Sequence, residues 1–276
     1  MGFLHQSWLR LQSLRRVVVS LVLALAVAMV GTVGCQSSDD AAEAAPAEGA
    51  ASSDPATLAR VCGRVTWEGE LPERRVVDLG GSPDCARTRT EPLLSEDIVV
   101  SADRSVESVL VFLEIAAETA AAGASTRASS ESADAAHLVA RLCRFEPHLL
   151  AVRVGQPVQF GQAGQTFENF HLLPQTNDEQ NFAITTAGGT KTIGFEHPEP
   201  GFIKVKSDIH PWMSAWIAVL PHPWFAVTGA DGRYAIEGLP PGRQTLVLRH
   251  PLLGEQRVEV EAAPGTVVTR DFVLRK

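Results

Sequence analysis

The sequence predicts an all-β protein, and three observations carry that reading. From residue 58 onward the large apolar residues fall in short runs rich in Val, Ile, Leu and Phe: Arg60 to Trp67, Asp97 to Ser101, Ser108 to Ile115, Leu149 to Val154, Lys191 to Phe195, Phe202 to Val205, Ser214 to Leu220 and Gln244 to Leu248. Gly, Pro, Asp and Asn stand between them, the residues that turn a chain. Two of the turns have a readable type. Asp231-Gly232 is a hairpin signal, and Leu239-Pro240-Pro241-Gly242 restricts φ at the prolines while leaving glycine where φ is positive. Short strands with this punctuation belong to sandwiches or small barrels.

The chain before residue 58 is of another kind. Residues 1–34 carry Arg10, Arg15 and Arg16 with no acidic residue, then an apolar run from Val17 to Val33. This is the n-region and h-region of a signal peptide, and it is short of the roughly 20 residues that span a bilayer comfortably. Arg15-Arg16 ahead of the run also gives it a faint likeness to a twin-arginine export signal. The run stops at Thr32-Val33-Gly34-Cys35, which resembles the lipobox of bacterial lipoproteins, with Thr32 where the family prefers Leu. The resemblance implies cleavage before Cys35 and acylation of that cysteine, each buried methylene contributing about 0.8 kcal/mol of membrane affinity. Gln36 is not the aspartate that retains lipoproteins at the inner membrane, so the expected address is the periplasmic face of the outer membrane. Residues 35–57 are Ala, Ser, Pro and acid without a large apolar side chain after Cys35, a disordered tether with a reach on the order of 25 Å.

The formal charge is −8, and it becomes three units more negative once Arg10, Arg15 and Arg16 are cut away. Nucleic acid is therefore excluded as a partner, because it requires a basic patch. The expected partners are the membrane, through the lipid anchor, and an envelope protein or polysaccharide. An extracytoplasmic address is oxidising, so Cys62, Cys85 and Cys143 are disulfide candidates. Cys85 with Cys143 closes a long loop, worth roughly 4 kcal/mol in the chain-entropy estimate. Cys62 with Cys85 is the alternative. The Ala- and Ser-rich stretch 116–136 interrupts the strands and reads as a low-complexity surface insertion.

The stretches Cys143 to Phe160, Phe167 to His171 and Lys204 to Thr228, with Asp208-Ile209-His210-Pro211-Trp212-Met213 as the most specific string, resemble the cupredoxin-like (plastocyanin-like) domains of periplasmic lipoproteins often named methylamine utilisation proteins. The segment from Val227 through DGRYAIEGLPPGRQTLVLRHPLLG resembles the carboxypeptidase regulatory-like module, a transthyretin-like sandwich. Together these resemblances cover about half of the chain after Cys35. They imply an all-β fold in which a cupredoxin-like Greek-key sandwich over 138–221 packs with a small transthyretin-like β-sandwich over 222–276. Residues 58–137 form an N-terminal β region able to complete either.

In copper-binding members of that family one loop supplies a cysteine, a histidine and a methionine, and a second histidine opens an H-N-x-H motif. Soft sulfur with imidazole and a weak axial thioether suits copper. This chain keeps Asn169, His171, His210 and Met213, but Glu168 stands at the first histidine and Ser207 at the cysteine. A serine hydroxyl forms no copper-thiolate bond, so the expectation is a degenerate site, without cofactor and without catalysis, in a binding or scaffolding protein. Two alternatives stay open. Glu168, His171, His210 and Met213 are a residual ligand set for a copper carrier or electron-transfer accessory protein. Trp224, Phe225 and Tyr234 are candidate stacking residues for carbohydrate. His148, His197, His222 and His250 lie beside prolines at turns and read as structural. The acidic pairs Glu196 with Glu199 and Asp178 with Glu179 read as solvated loop acids, and no G-x-S-x-G or H-E-x-x-H motif occurs.

Overall fold

A computed structural model describes residues 58–87, 89–115, 134–164 and 167–276. The expected signal peptide, Cys35, the tether and the insertion up to residue 133 lie outside the described residues. Among the described residues no helix is long and apolar enough to cross a membrane. The insertion ends earlier than expected, because Ala136 already pairs with Val158.

The chain is all-β. Its strands are β1 (Ala59–Trp67), β2 (Leu110–Glu114), β3 (Ala136–Arg141), β4 (Arg144–Glu146), β5 (Leu149–Arg153), β6 (Val158–Gln162), β7 (Glu168–Leu173), β8 (Gln180–Ile184), β9 (Thr190–Ile193), β10 (Ile203–Lys206) and β11 (Ser214–Leu220). They continue with β12 (Phe225–Val227), β13 (Arg233–Leu239), β14 (Gly242–His250), β15 (Gly254–Ala262), β16 (Val267–Thr269) and β17 (Phe272–Leu274). One short helix, α1 (Pro83–Arg87), lies between β1 and β2. The run Asp97 to Ser101 forms no strand of its own and contributes only an isolated bridge from Val100 to Val106.

These strands make four sheets, ordered β13-β1-β16 with β17 on the second half of β1, β5-β11-β10-β7-β8, β12-β2-β14-β15, and β4-β3-β6-β9. One core, with Val61, Val65, Val111, Leu113, Ile236, Leu246 and Phe272, lies among strands of the first and third sheets. A second, with Phe145, Phe160, Phe170, Leu172, Val205, Met213 and Ile217, lies among strands of the other two. A third apolar layer joins the two sandwiches, with Leu110, Phe112 and Val247 against Leu149, Ala218 and Leu220.

The period of two explains why some runs are apolar at every position. In β2, Val111 and Leu113 enter the first core while Leu110 and Phe112 enter the joining layer. In β11, Ala215, Ile217 and Val219 face the second core while Trp216, Ala218 and Leu220 face the joining layer.

Sheet membership does not follow chain order. β1 pairs with β13, β16 and β17, and β2 with β12 and β14. The N-terminal strands thus complete the sheets of the C-terminal segment, with 134–221 between them in sequence. The Asp231-Gly232 turn forms, with Gly232 N on the Gly229 carbonyl at 2.9 Å, but it does not make the expected hairpin: β12 before it pairs with β2 and β13 after it with β1, so the turn passes the chain from one sheet to another. Gly232 has φ +68°, and a Cβ there would lie 2.5 Å from the Val65 carbonyl oxygen, so only glycine fits.

Candidate functional site

Strand alternation decides which side chains meet at one end of the second sandwich. On β7, Glu168, Phe170 and Leu172 alternate with Asn169 and His171. Phe170 and Leu172 lie in the core, so Glu168 points inward with them and His171 points to the opposite face. On β10, Ile203 and Val205 face the core, and Ser207, next in phase, is buried at the start of the connection to β11.

That connection, Ser207 to Met213, is a closed turn. Met213 N donates to the His210 carbonyl at 2.8 Å and Ser207 N to the Met213 carbonyl at 3.3 Å. The Ser207 hydroxyl accepts the backbone N–H groups of Ile209 (3.2 Å) and His210 (3.0 Å). His210, 5 % exposed, is thereby aimed at Glu168, 3 % exposed. Its Nδ1 donates to Glu168 Oε2 across 3.1 Å, which leaves Nε2 facing Ser82 Oγ at 3.5 Å. The Met213 side chain is buried beneath the turn.

The segment from 70 to 98 crosses this end of the sandwich and is fastened to it. Cys85 of α1 is bonded to Cys143, the pairing favoured from loop length. Cys143 lies in the two-residue turn between β3 and β4, where Leu142 (φ 47°) and Cys143 (φ 60°) both adopt the left-handed region without being glycine. Such a conformation is held by its surroundings. Here the disulfide holds one side, and Trp212 Nε1 donates to the Cys143 carbonyl at 3.2 Å. The Trp212 ring packs 5.2 Å from the His210 ring. A cavity of about 640 Å3 opens beside the turn, lined by Val76, Leu93, Cys143, Ser207, Trp212 and Met213 among others.

His171 belongs to a separate outer cluster. Its Nδ1 lies 2.8 Å from Asp208 and its Nε2 2.7 Å from Glu179. Asn181 donates to Asp208 at 3.0 Å and Asn169 to Asn181 at 2.8 Å, while Asp208 N donates to Asn169 at 2.8 Å. The Lys206 ammonium, with Asn181 and His171, holds the Asp208 carboxyl down at about 2.

The four residues expected as a residual metal set are therefore not brought together. Glu168 and His210 meet, Met213 is buried below the same turn, and His171 is excluded by its strand face. Among the described residues no three His, Cys, Asp or Glu side chains are disposed to hold a metal ion. Nor does the donor set fit a blue copper centre. Serine replaces the thiolate, its hydroxyl is engaged by two backbone N–H groups, and the imidazole nitrogen that faces the first-ligand position already donates to a carboxylate.

The other candidates are placed as follows. Trp224 (7 % exposed) and Tyr234 (5 %) are core residues of the first sandwich, with Trp224 Nε1 donating to Gly238 and the Tyr234 hydroxyl to Arg270. They offer no face to a sugar, and Phe225 packs in the joining layer. Glu199 is not a solvated acid: it accepts the backbone N–H groups of Gln175 (2.9 Å), Thr176 (3.0 Å) and Asn177 (2.9 Å) and the Asn177 amide (2.8 Å). Burial alone raises its pKa, but these hydrogen bonds outweigh it and leave the carboxyl below its usual range. Ser82 and Glu179 were not legible as site residues, since their partners are distant or lie across a strand pair.

No family model matches the chain, and no curated protein matches it significantly. Solved structures do. A copper-containing nitrite reductase from Thermus scotoductus is 20 % identical over 31 % of this chain and 22 % of its own length, with a TM-score of 0.29. A purple cupredoxin from Nitrosopumilus maritimus is 18 % identical over 30 % of this chain and 98 % of its own, with a TM-score of 0.27. An amicyanin variant is 17 % identical over 33 % of this chain and 88 % of its own, with a TM-score of 0.29. The chain thus spans under a quarter of the nitrite reductase. At these identities and scores the likeness carries no argument about its chemistry.

Proposed function

We propose that this chain is a lipid-anchored protein of the bacterial cell envelope, on the periplasmic face of the outer membrane. In this reading its cupredoxin-like pole serves as a binding or scaffolding module without a blue copper centre. The observation that carries the metal-free reading is the 3.1 Å contact between His210 Nδ1 and Glu168. A hydrogen bond inside the protein uses the groups that would otherwise face a metal, and the Ser207 hydroxyl is likewise used by its own turn. The anchor rests on Thr32-Val33-Gly34-Cys35 after an apolar run. The partner class, another envelope protein or a polysaccharide, follows from that address.

The test uses the full acylated chain in detergent. Elemental analysis of protein isolated from its own envelope is expected to find far less than one copper per chain. Titration with copper(II) is expected to produce no intense thiolate-to-copper absorption band in the visible. One tightly held copper per chain with such a band overturns the reading. Colourless copper(I) binding that disappears in His210→Ala replaces it with the copper-carrier alternative.

A further inference from the structure

Ser82, His210 and Glu168 stand in line. The hydroxyl of Ser82 is 3.5 Å from Nε2 of His210, and Nδ1 of the same ring is 3.1 Å from the Glu168 carboxylate. We propose that these residues form an acyl-transfer triad, with Ser82 as nucleophile, His210 as general base and Glu168 as the positioning carboxylate, acting on carboxylic esters. The inference goes beyond the binding role, does not rest on it, and sets aside the expectation of a non-catalytic protein.

Four features support the assignment. The ring nitrogens have different duties, as a base requires. Glu168 fixes the proton on Nδ1, so the lone pair of Nε2 is turned toward the serine. The carboxylate is 3 % exposed, so its field on the ring is weakly screened. Ser82 directly precedes α1, where a serine ordinarily turns its hydroxyl onto the helix N–H groups. Its carbonyl takes Ala86 N, as an N-cap carbonyl ordinarily does, but the hydroxyl's hydrogen-bond partner among the described residues is His210 and not a helix N–H. Finally, the fastening is specific to this geometry. The Cys85–Cys143 bond ties the serine segment down three residues after Ser82, and the Cys143 carbonyl holds Trp212 against the His210 ring. The separation of 3.5 Å is at the long end of hydrogen bonding, as catalytic contacts often are before substrate binds.

The chemistry balances without a cofactor. Ser82 Oγ bonds to the ester carbonyl carbon as its proton passes to His210 Nε2. The carbon–alkoxide bond then breaks, and the alcohol leaves with that proton. Water repeats the sequence in place of the alcohol, giving the free acid and restoring Ser82.

The test treats the full chain, disulfide intact, with p-nitrophenyl acetate. The expected result is a burst of about one p-nitrophenol per chain, with the acetyl group mapped to Ser82 by peptide mass spectrometry. Ser82→Ala removes the burst. Glu168→Gln slows acylation by roughly 10- to 100-fold, and Glu168→Asp recovers part of the loss, a rescue that a merely structural carboxylate does not require. A fluorophosphonate probe on the unaltered chain checks the same point without a variant: Ser82 is labelled before reduction of Cys85–Cys143 and not after it. Acetyl groups on lysines alone, or an unlabelled Ser82 in the folded, oxidised chain, overturn the proposal.

Discussion

His222 and His250 show how far burial alone can set the behaviour of a side chain. His222 is 2 % exposed and its Nδ1 accepts the Trp224 N–H at 3.2 Å; His250 is 4 % exposed and accepts the Leu252 N–H at 3.1 Å. Loss of hydration disfavours the imidazolium and pushes both down to about 4. An unfolded chain takes up these protons near pH 6.5, so between pH 6.5 and 4 it binds more protons than the folded one. Stability therefore falls as pH falls through that window, by up to about 1.4 kcal/mol per unit and per histidine. His222→Asn offers an acceptor to Trp224 N–H without a titrating ring. Urea midpoints of the two proteins are expected to diverge at neutral pH and converge by pH 4.5, the variant having the flatter profile; parallel profiles refute the argument. At the same scale His171 shows what the sequence already held. Glu168 and His171 are three apart on a strand, an odd number, so they face opposite sides and cannot share a ligand. Ser82 was beyond reach, because 128 residues separate it from His210 and nothing local in the chain reports that contact.

At the scale of the element, the strands were legible wherever one stretch carried its own pattern. Ser214 to Leu220 was read as a strand and is β11, and Ser108 to Ile115 contains β2. Asp97 to Ser101 was read as a strand on composition, but its only ladder contact is the isolated bridge to Val106, and the intervening turn places Ser101 N on Ser105 O at 2.9 Å. Pairing is a property of two segments, and composition sees one. The same distinction governs the effect of mutation. Leu113 is fully buried between the sheets of the first sandwich, whereas Phe112, its neighbour, faces the joining layer. Leu113→Ala deletes core atoms that its surroundings cannot replace, at an expected cost of about 3 kcal/mol. Equilibrium urea unfolding measures it, and a loss under about 1 kcal/mol would mean that the first core is looser than its burial indicates.

At the scale of the whole molecule the instructive feature is the order in which the chain visits its sheets. The C-terminal segment resembles a self-contained module in sequence, because its turns and strands are all present between residues 222 and 276. The pairings show what it lacks. β1 fills the place between β13 and β16 and carries β17 on its second half, and β2 stands between β12 and β14. Removing both leaves the β14–β15 hairpin as the one ladder formed within the segment among the described residues. A lone hairpin is marginal in water, and Val61, Val65, Val111 and Leu113 would be missing from the core it closes. Residues 222–276 expressed alone are therefore expected to give the circular dichroism of an unfolded chain and no cooperative urea transition. A longer chain, 58–276, is expected to unfold cooperatively, because Cys85–Cys143 ties the β1–β2 connection to the second sandwich and the joining layer of Leu110, Phe112, Val247, Leu149, Ala218 and Leu220 couples the two cores. A sharp transition from the short fragment on its own would show that β1 and β2 cover a domain already complete without them.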